Sequence, residues 1–196
     1  MFSNPNARRV MTALIFIISV SSSVSAAGYF WVGGDGNWSD ISHWATTSGG
    51  GATHAQAPTA NDDVYFDANS FSGPLQMVRL NTDVNFCRSM SWAGATGNPV
   101  FLGGRSVSLN VFGSLELINA MDYRFDGTVV FTGETDNNVD CRGNTAGYVL
   151  AFTGSGAWSL TGDVAVDSIL LFNEGTLRTS GRAVTTKYLR SDGNAT

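Results

Sequence analysis

From residue 100 to residue 190 the chain alternates apolar and polar residues in runs of three to five, and glycine interrupts nearly every run. Val107, Leu109 and Val111 alternate with Ser106, Ser108 and Asn110, and Leu115 and Leu117 with Ser114 and Glu116. Val129 and Phe131 alternate with Thr128 and Val130, and Tyr148, Leu150 and Phe152 with Val149 and Ala151. Trp158/Leu160 and Val164/Val166 are shorter instances. Successive side chains of a strand point to opposite faces, so this period gives each run one face for a core. Gly113, Gly127, Gly133, Gly143, Gly154, Gly162, Gly175 and Gly181 punctuate the runs. Nothing after residue 28 carries the 3.6-residue apolar period of an amphipathic helix. With a single lysine, Lys187, and only 14% charged residues, a Lys/Glu/Ala-rich bundle or coiled coil is excluded. The fold class is all-β.

Two all-β architectures fit short strands. A β-sandwich joins neighbouring strands by hairpins, and Asp126-Gly127 or Glu174-Gly175 would serve as turns. A β-solenoid stacks coil on coil, with small residues at the corners and an apolar inside. Val-Phe-Thr-Gly at 130–133 returns as Ala-Phe-Thr-Gly at 151–154, an offset of 21 residues and a fitting length for one coil. The pattern favours a right-handed parallel β-helix, with the sandwich as the alternative.

Ahead of these runs lies an export signal. Arg8 and Arg9 form a positive region, Val10 to Val20 an apolar one, and Ser21 to Ala27 a small-residue run with cleavage after Ala26 or Ala27. This eleven-residue segment falls short of the roughly 20 that span a bilayer, and no later segment approaches that length. The expected location is extracellular or the outer cell surface. The formal charge is −5, or −7 without Arg8 and Arg9. Nucleic acid is thereby excluded as a partner, since its binders need a basic surface.

In an oxidising space Cys87 and Cys141 are candidates for a disulfide, closing a loop worth about 4 kcal/mol on the chain-entropy model. Two free buried thiols, or pairing with another chain, are the alternatives. The spacing is neither that of a redox motif nor that of a zinc site.

Residues 28–75 differ in composition from the repeat region, 76–196. Trp31, Trp38 and Trp44 flank Gly33-Gly34-Asp35-Gly36, too glycine-rich for a helix, and are expected to pack as an aromatic cap on the first coil. His43 is expected to pack in the tryptophan turn and His54 to be solvated in its loop. Asp35, Asp62, Asp63 and Asp67 are candidate calcium ligands. Adjacent residues in a strand face opposite ways, however, and turn capping is the simpler role for Asp62 and Asp63. No nucleophile elbow, His-Glu-x-x-His motif or phosphate-binding glycine loop is present, and no catalytic residue or cofactor site is assigned. Acid pairs at glycosidase spacing arise by chance among 16 acidic residues.

Phe30-Trp31-Val32-Gly33-Gly34-Asp35-Gly36-Asn37-Trp38-Ser39-Asp40, followed by Ser42-His43-Trp44, resembles the opening of secreted, adhesin-like β-strand-repeat proteins of bacteria that use type IX secretion. Pro58-Thr59 with Asp62 to Phe71 is similar to that family's next block, and Trp158 to Gly181 to its repeats; the opening is also similar to the start of autotransporter passenger regions. The resemblance implies a non-catalytic structural or adhesive module at the N-terminal end of a longer surface protein. Its partner would be a surface, a glycan or a neighbouring cell. Family members are longer and end in a sorting domain that residues 190–196 do not contain, so further coils are expected beyond this chain. A carbohydrate-active or carbohydrate-binding β-helix is the alternative: an exposed aromatic stripe, or a cleft lined by Asp and Arg, would favour it.

Overall fold

The computed structural model describes residues 26–191. The export signal expected over 1–27 lies, but for its last two residues, outside them. Twenty short strands follow the order β1 (Gly28–Trp31), β2 (Gly36–Asn37), β3 (Trp44–Ala45), β4 (Asp63–Tyr65), β5 (Met77–Arg79), β6 (Val84–Cys87) and β7 (Met90–Ser91). Next come β8 (Val100–Gly103), β9 (Ser108–Val111), β10 (Leu115–Glu116), β11 (Asp122–Phe125), β12 (Thr128–Phe131), β13 (Asp136–Asp140) and β14 (Val149–Phe152). The last are β15 (Ala157–Leu160), β16 (Val164–Ala165), β17 (Ile169–Phe172), β18 (Thr176–Arg178), β19 (Val184–Thr185) and β20 (Tyr188–Arg190). One 3-10 turn, Ile41–His43, is the sole helical element among the described residues.

Apart from β3 on β1, strands pair with those one coil away, never with their sequence neighbours. Face A has the order β18-β15-β13-β10-β7-β4-β1-β3 and face C the order β20-β17-β14-β12-β9-β6. Face B is divided into β11-β8-β5-β2 and β16-β19. Every strand pair is parallel except β1 with β3. The chain is therefore a parallel β-solenoid of about five turns, and the sandwich is excluded. The self-match reads out directly, because Val130 and Phe131 sit over Ala151 and Phe152.

Inward-facing residues form ladders. On face C, Cys87, Val111, Phe131, Phe152 and Phe172 lie in register, and the rings of Phe131 and Phe152 stack at 5.1 Å. On face A, Val64, Met90, Leu115, Val139 and Leu160 do the same. Burying such a side chain is worth roughly 1.5–3 kcal/mol, and each ladder repeats that gain coil after coil. Face A steps by 26 residues from Val64 to Met90 but by 19 from Trp158 to Leu177, so the coils shorten along the axis.

The corner joining face C to face A is set by small residues. At Gly133 and Gly154 an added Cβ would run into the carbonyl oxygens of Phe112 and Gly133, one coil below. Side chains there would force the stacked backbones apart.

The aromatic cap is present, but it is built into the solenoid. Within 28–75, β1 and β4 belong to face A and β2 to face B. The coils thus begin at Gly28, well before residue 76.

Candidate functional site

The tryptophans expected at the cap are buried: Trp31 and Trp44 are 0% exposed and Trp38 2%. Trp44 stands edge-on to both others, with ring centroids 4.9 Å apart in each case. The Trp31 indole N–H donates to the Gly34 carbonyl and that of Trp44 to the Trp38 carbonyl, each at 2.7 Å. His43 lies flat on Trp31 at 4.6 Å, and its Nδ1 hydrogen-bonds the Val32 carbonyl at 2.6 Å. His54 departs from expectation. Rather than being solvated, it stacks on Tyr29 at 3.6 Å and reaches the Gly28 carbonyl at 3.0 Å. A half-buried ring with a hydrogen bond gains more there than in water.

The four candidate calcium ligands are held apart in local roles. Asp35 accepts the Met77 N–H at 2.6 Å, and Asp62 accepts the Thr59 N–H and hydroxyl at 2.9 and 2.6 Å. Asp67 accepts the Asn69 N–H at 2.8 Å, and Asp63 pairs with Arg88, whose Nε lies at 2.8 Å. Among the described residues no three His, Cys, Asp or Glu side chains gather at one point.

Cys87 and Cys141 are free thiols, both buried, which is the alternative to the candidate disulfide. Cys141 stacks above Leu117 and Trp92, and Cys87 precedes Trp92 by five residues. Two coil rises of about 4.8 Å separate the cysteines, beyond the ~7 Å between Cα atoms that a disulfide spans. Burial, with a smaller contribution from Asp140, pushes the Cys141 thiol up to about 12, and burial also raises that of Cys87. Both are inert hydrophobes in this fold.

A polar concavity on face A involves residues the sequence did not single out as a site. Glu116 of β10 and Asp140 of β13 are register neighbours with side chains turned outward. Arg142 joins them, its Nε 2.8 Å from Asp140 and its Nη2 3.5 Å from Glu116. Ser91 donates to Glu116 at 3.2 Å, and Ser114, Asn138 and Thr161 complete a shallow groove of about 330 Å³. This set offers hydroxyl, amide, carboxylate and guanidinium groups to a polar ligand. The only hint in the sequence was the alternation of Ser114 and Glu116 with Leu115 and Leu117. It gives an outward direction, but not the 24-residue step that brings Asp140 alongside.

No family model, no curated protein and no solved structure matches the chain.

Proposed function

We propose that this solenoid is an exported, non-catalytic structural or adhesive module of the cell surface. The observation that carries the reading is that all five tryptophans, Trp31, Trp38, Trp44, Trp92 and Trp158, are inside, at 0–2% exposure. None is left to form an outward stripe on which sugar rings stack. The interior ladders make a stiff support, with Ser91, Glu116, Asp140 and Ser159 turned outward on face A and Val84 and Phe86, 50% and 39% exposed, on face C. Ion pairs such as Arg88–Asp63, Arg105–Asp126 and Lys187–Asp167 neutralise one another along the surface. The opening block at 30–44 and its likeness to adhesin-like repeat proteins support the same reading and, with it, export by a type IX or related route.

The test is to coat beads with residues 28–196 and measure retention on cells and on polysaccharide films, assaying the same films for cleavage products. Retention without cleavage is expected. Absence of retention on every surface defeats the adhesive reading, and released oligosaccharide defeats the non-catalytic one.

The groove around Glu116, Asp140 and Arg142 favours one second reading, a carbohydrate-binding β-helix. Under it, Asp140→Asn abolishes retention on polysaccharide while retention on cells is unchanged.

A further inference from the structure

Face B breaks between β11 and the coil that comes after it, while faces A and C run unbroken through the same coils as β10-β13-β15 and β12-β14-β17. The gap is therefore local. In a parallel ladder each residue turns its N–H and C=O to one side, and neighbours alternate. Asp122 and Asp126 donate to Pro99 and Gly103 of the coil below, at 2.8 and 2.9 Å. Tyr123 and Phe125 accordingly turn theirs towards the coil above. Gly127, next in that series, is met there: its carbonyl accepts the Tyr148 N–H at 3.0 Å. Tyr123 and Phe125 are not met, because β11 is the last strand of its sheet. The segment that should cover them bonds away, Thr145 bridging Ala165 and the Ala146 N–H donating to the Ala165 carbonyl at 2.7 Å.

A cleft of about 270 Å³ occupies the gap, with Arg124, Asp126, Thr145 and Asp167 in its walls. Its charges are already paired: Arg124 with Asp122, Asp126 with Arg105, and Asp167 with Lys187. An ionic ligand would have to break those pairs. The main-chain groups have no such competitor, and alternating N–H and C=O groups are the complement of an extended polypeptide.

We propose that the upper edge of β11 is a strand-addition site for an extended peptide, gripped through the main chain of Tyr123 and Phe125. Affinity in this mode comes from backbone hydrogen bonds and selectivity from alternate side chains meeting the rim. The site stands whether or not the solenoid is an adhesin.

Amide exchange followed by NMR on residues 28–196 tests it, with a blocked pentapeptide of alternating threonine and valine as probe. In the free protein the Tyr123 and Phe125 amides should exchange at least tenfold faster than the paired Arg124 amide between them. Millimolar peptide should slow both by tenfold or more. The same peptide N-methylated at alternate residues should lose that effect. The proposal is overturned if the two amides are already protected in the free protein or if the peptide leaves them unchanged. It is also overturned if the N-methylated peptide protects them equally, if protection falls only on residues 188–190, or if a neutral oligosaccharide protects them and the peptide does not.

Discussion

At its N-terminal end the solenoid is covered by a strand running against the others, whereas the last described coil presents its inner side to water. β3 lies antiparallel on β1, pairing Trp31 with Trp44 and Phe30 with Ala45. It covers the edge of face A and brings an indole over the core. At the far end β18, β19 and β20 are each the outermost strand of their sheet. Tyr188 is 59% exposed and Leu189 69%, above an apolar hollow of about 340 Å³ bordered by Leu170, Phe172, Leu177 and Val184. A parallel stack leaves unpaired backbone and a cross-section of core wherever it stops. The covered end shows what this chain uses to close it: a reversed strand and stacked aromatic rings.

The contrast is broken most forcefully at Trp44. Replacing a fully buried tryptophan with alanine costs about 3–5 kcal/mol, so Trp44→Ala should unfold the first coils at a much lower urea midpoint. An unchanged midpoint in equilibrium unfolding would show that the cap carries no stability. The next effect is chemical. Cys141 is held neutral in the fold with a pKa of about 12, against ~8.5 in an unfolded chain. Its contribution is complete below pH 8.5 and lost as pH rises towards 12, because the unfolded chain then sheds a proton that the fold retains. Stability should fall by about 2 kcal/mol between pH 8.5 and 10 from this thiol, and Cys141→Ala should make the slope shallower in urea titrations across the range, with the share of the buried Cys87 thiol remaining.

A smaller effect is expected from His54→Ala, which removes the stack on Tyr29 and costs about 1 kcal/mol, measurable as a modest drop in Tm. Smallest is Leu189→Ser at the open end, expected to shift stability by less than about 0.5 kcal/mol. A loss as large as that at Trp44 would mean that the far end is covered in solution. Sedimentation of the same variant would then show the dissociation of whatever covers it.

The repeat region was legible because its signals are local. Alternation at Val107–Val111 and Val129–Phe131 fixes which side chains turn inward, and the returning Phe-Thr-Gly fixes one coil step. What pairs with what across coils is not local. The step on face A runs through 26, 25, 24, 21 and 19 residues, so no single period carries Glu116 to Asp140. The same variation hid the distance between Cys87 and Cys141, whose inward directions were readable and whose separation along the axis was not. β3 escaped notice for another reason. Trp44-Ala45 is too short to show alternation, and its reversal depends on tertiary contacts with β1. At His54 the surrounding Gly, Ala and Thr suggested a solvated loop, and only the return of that loop to Gly28 supplies its stacking partner.

The glycine corner has a consequence for ancestry. Where the neighbouring coil's carbonyl occupies the space of a Cβ, a coil can be copied whole, because the copy brings its own glycine and lands it on the one beneath. It cannot then drift at that position, though the outward residues of the same coil are free to change. Lineages built this way should lengthen or shorten by entire coils and diversify on their faces. The recurrence of Phe-Thr-Gly at 131–133 and 152–154, amid otherwise divergent neighbours, is the trace that such copying would leave.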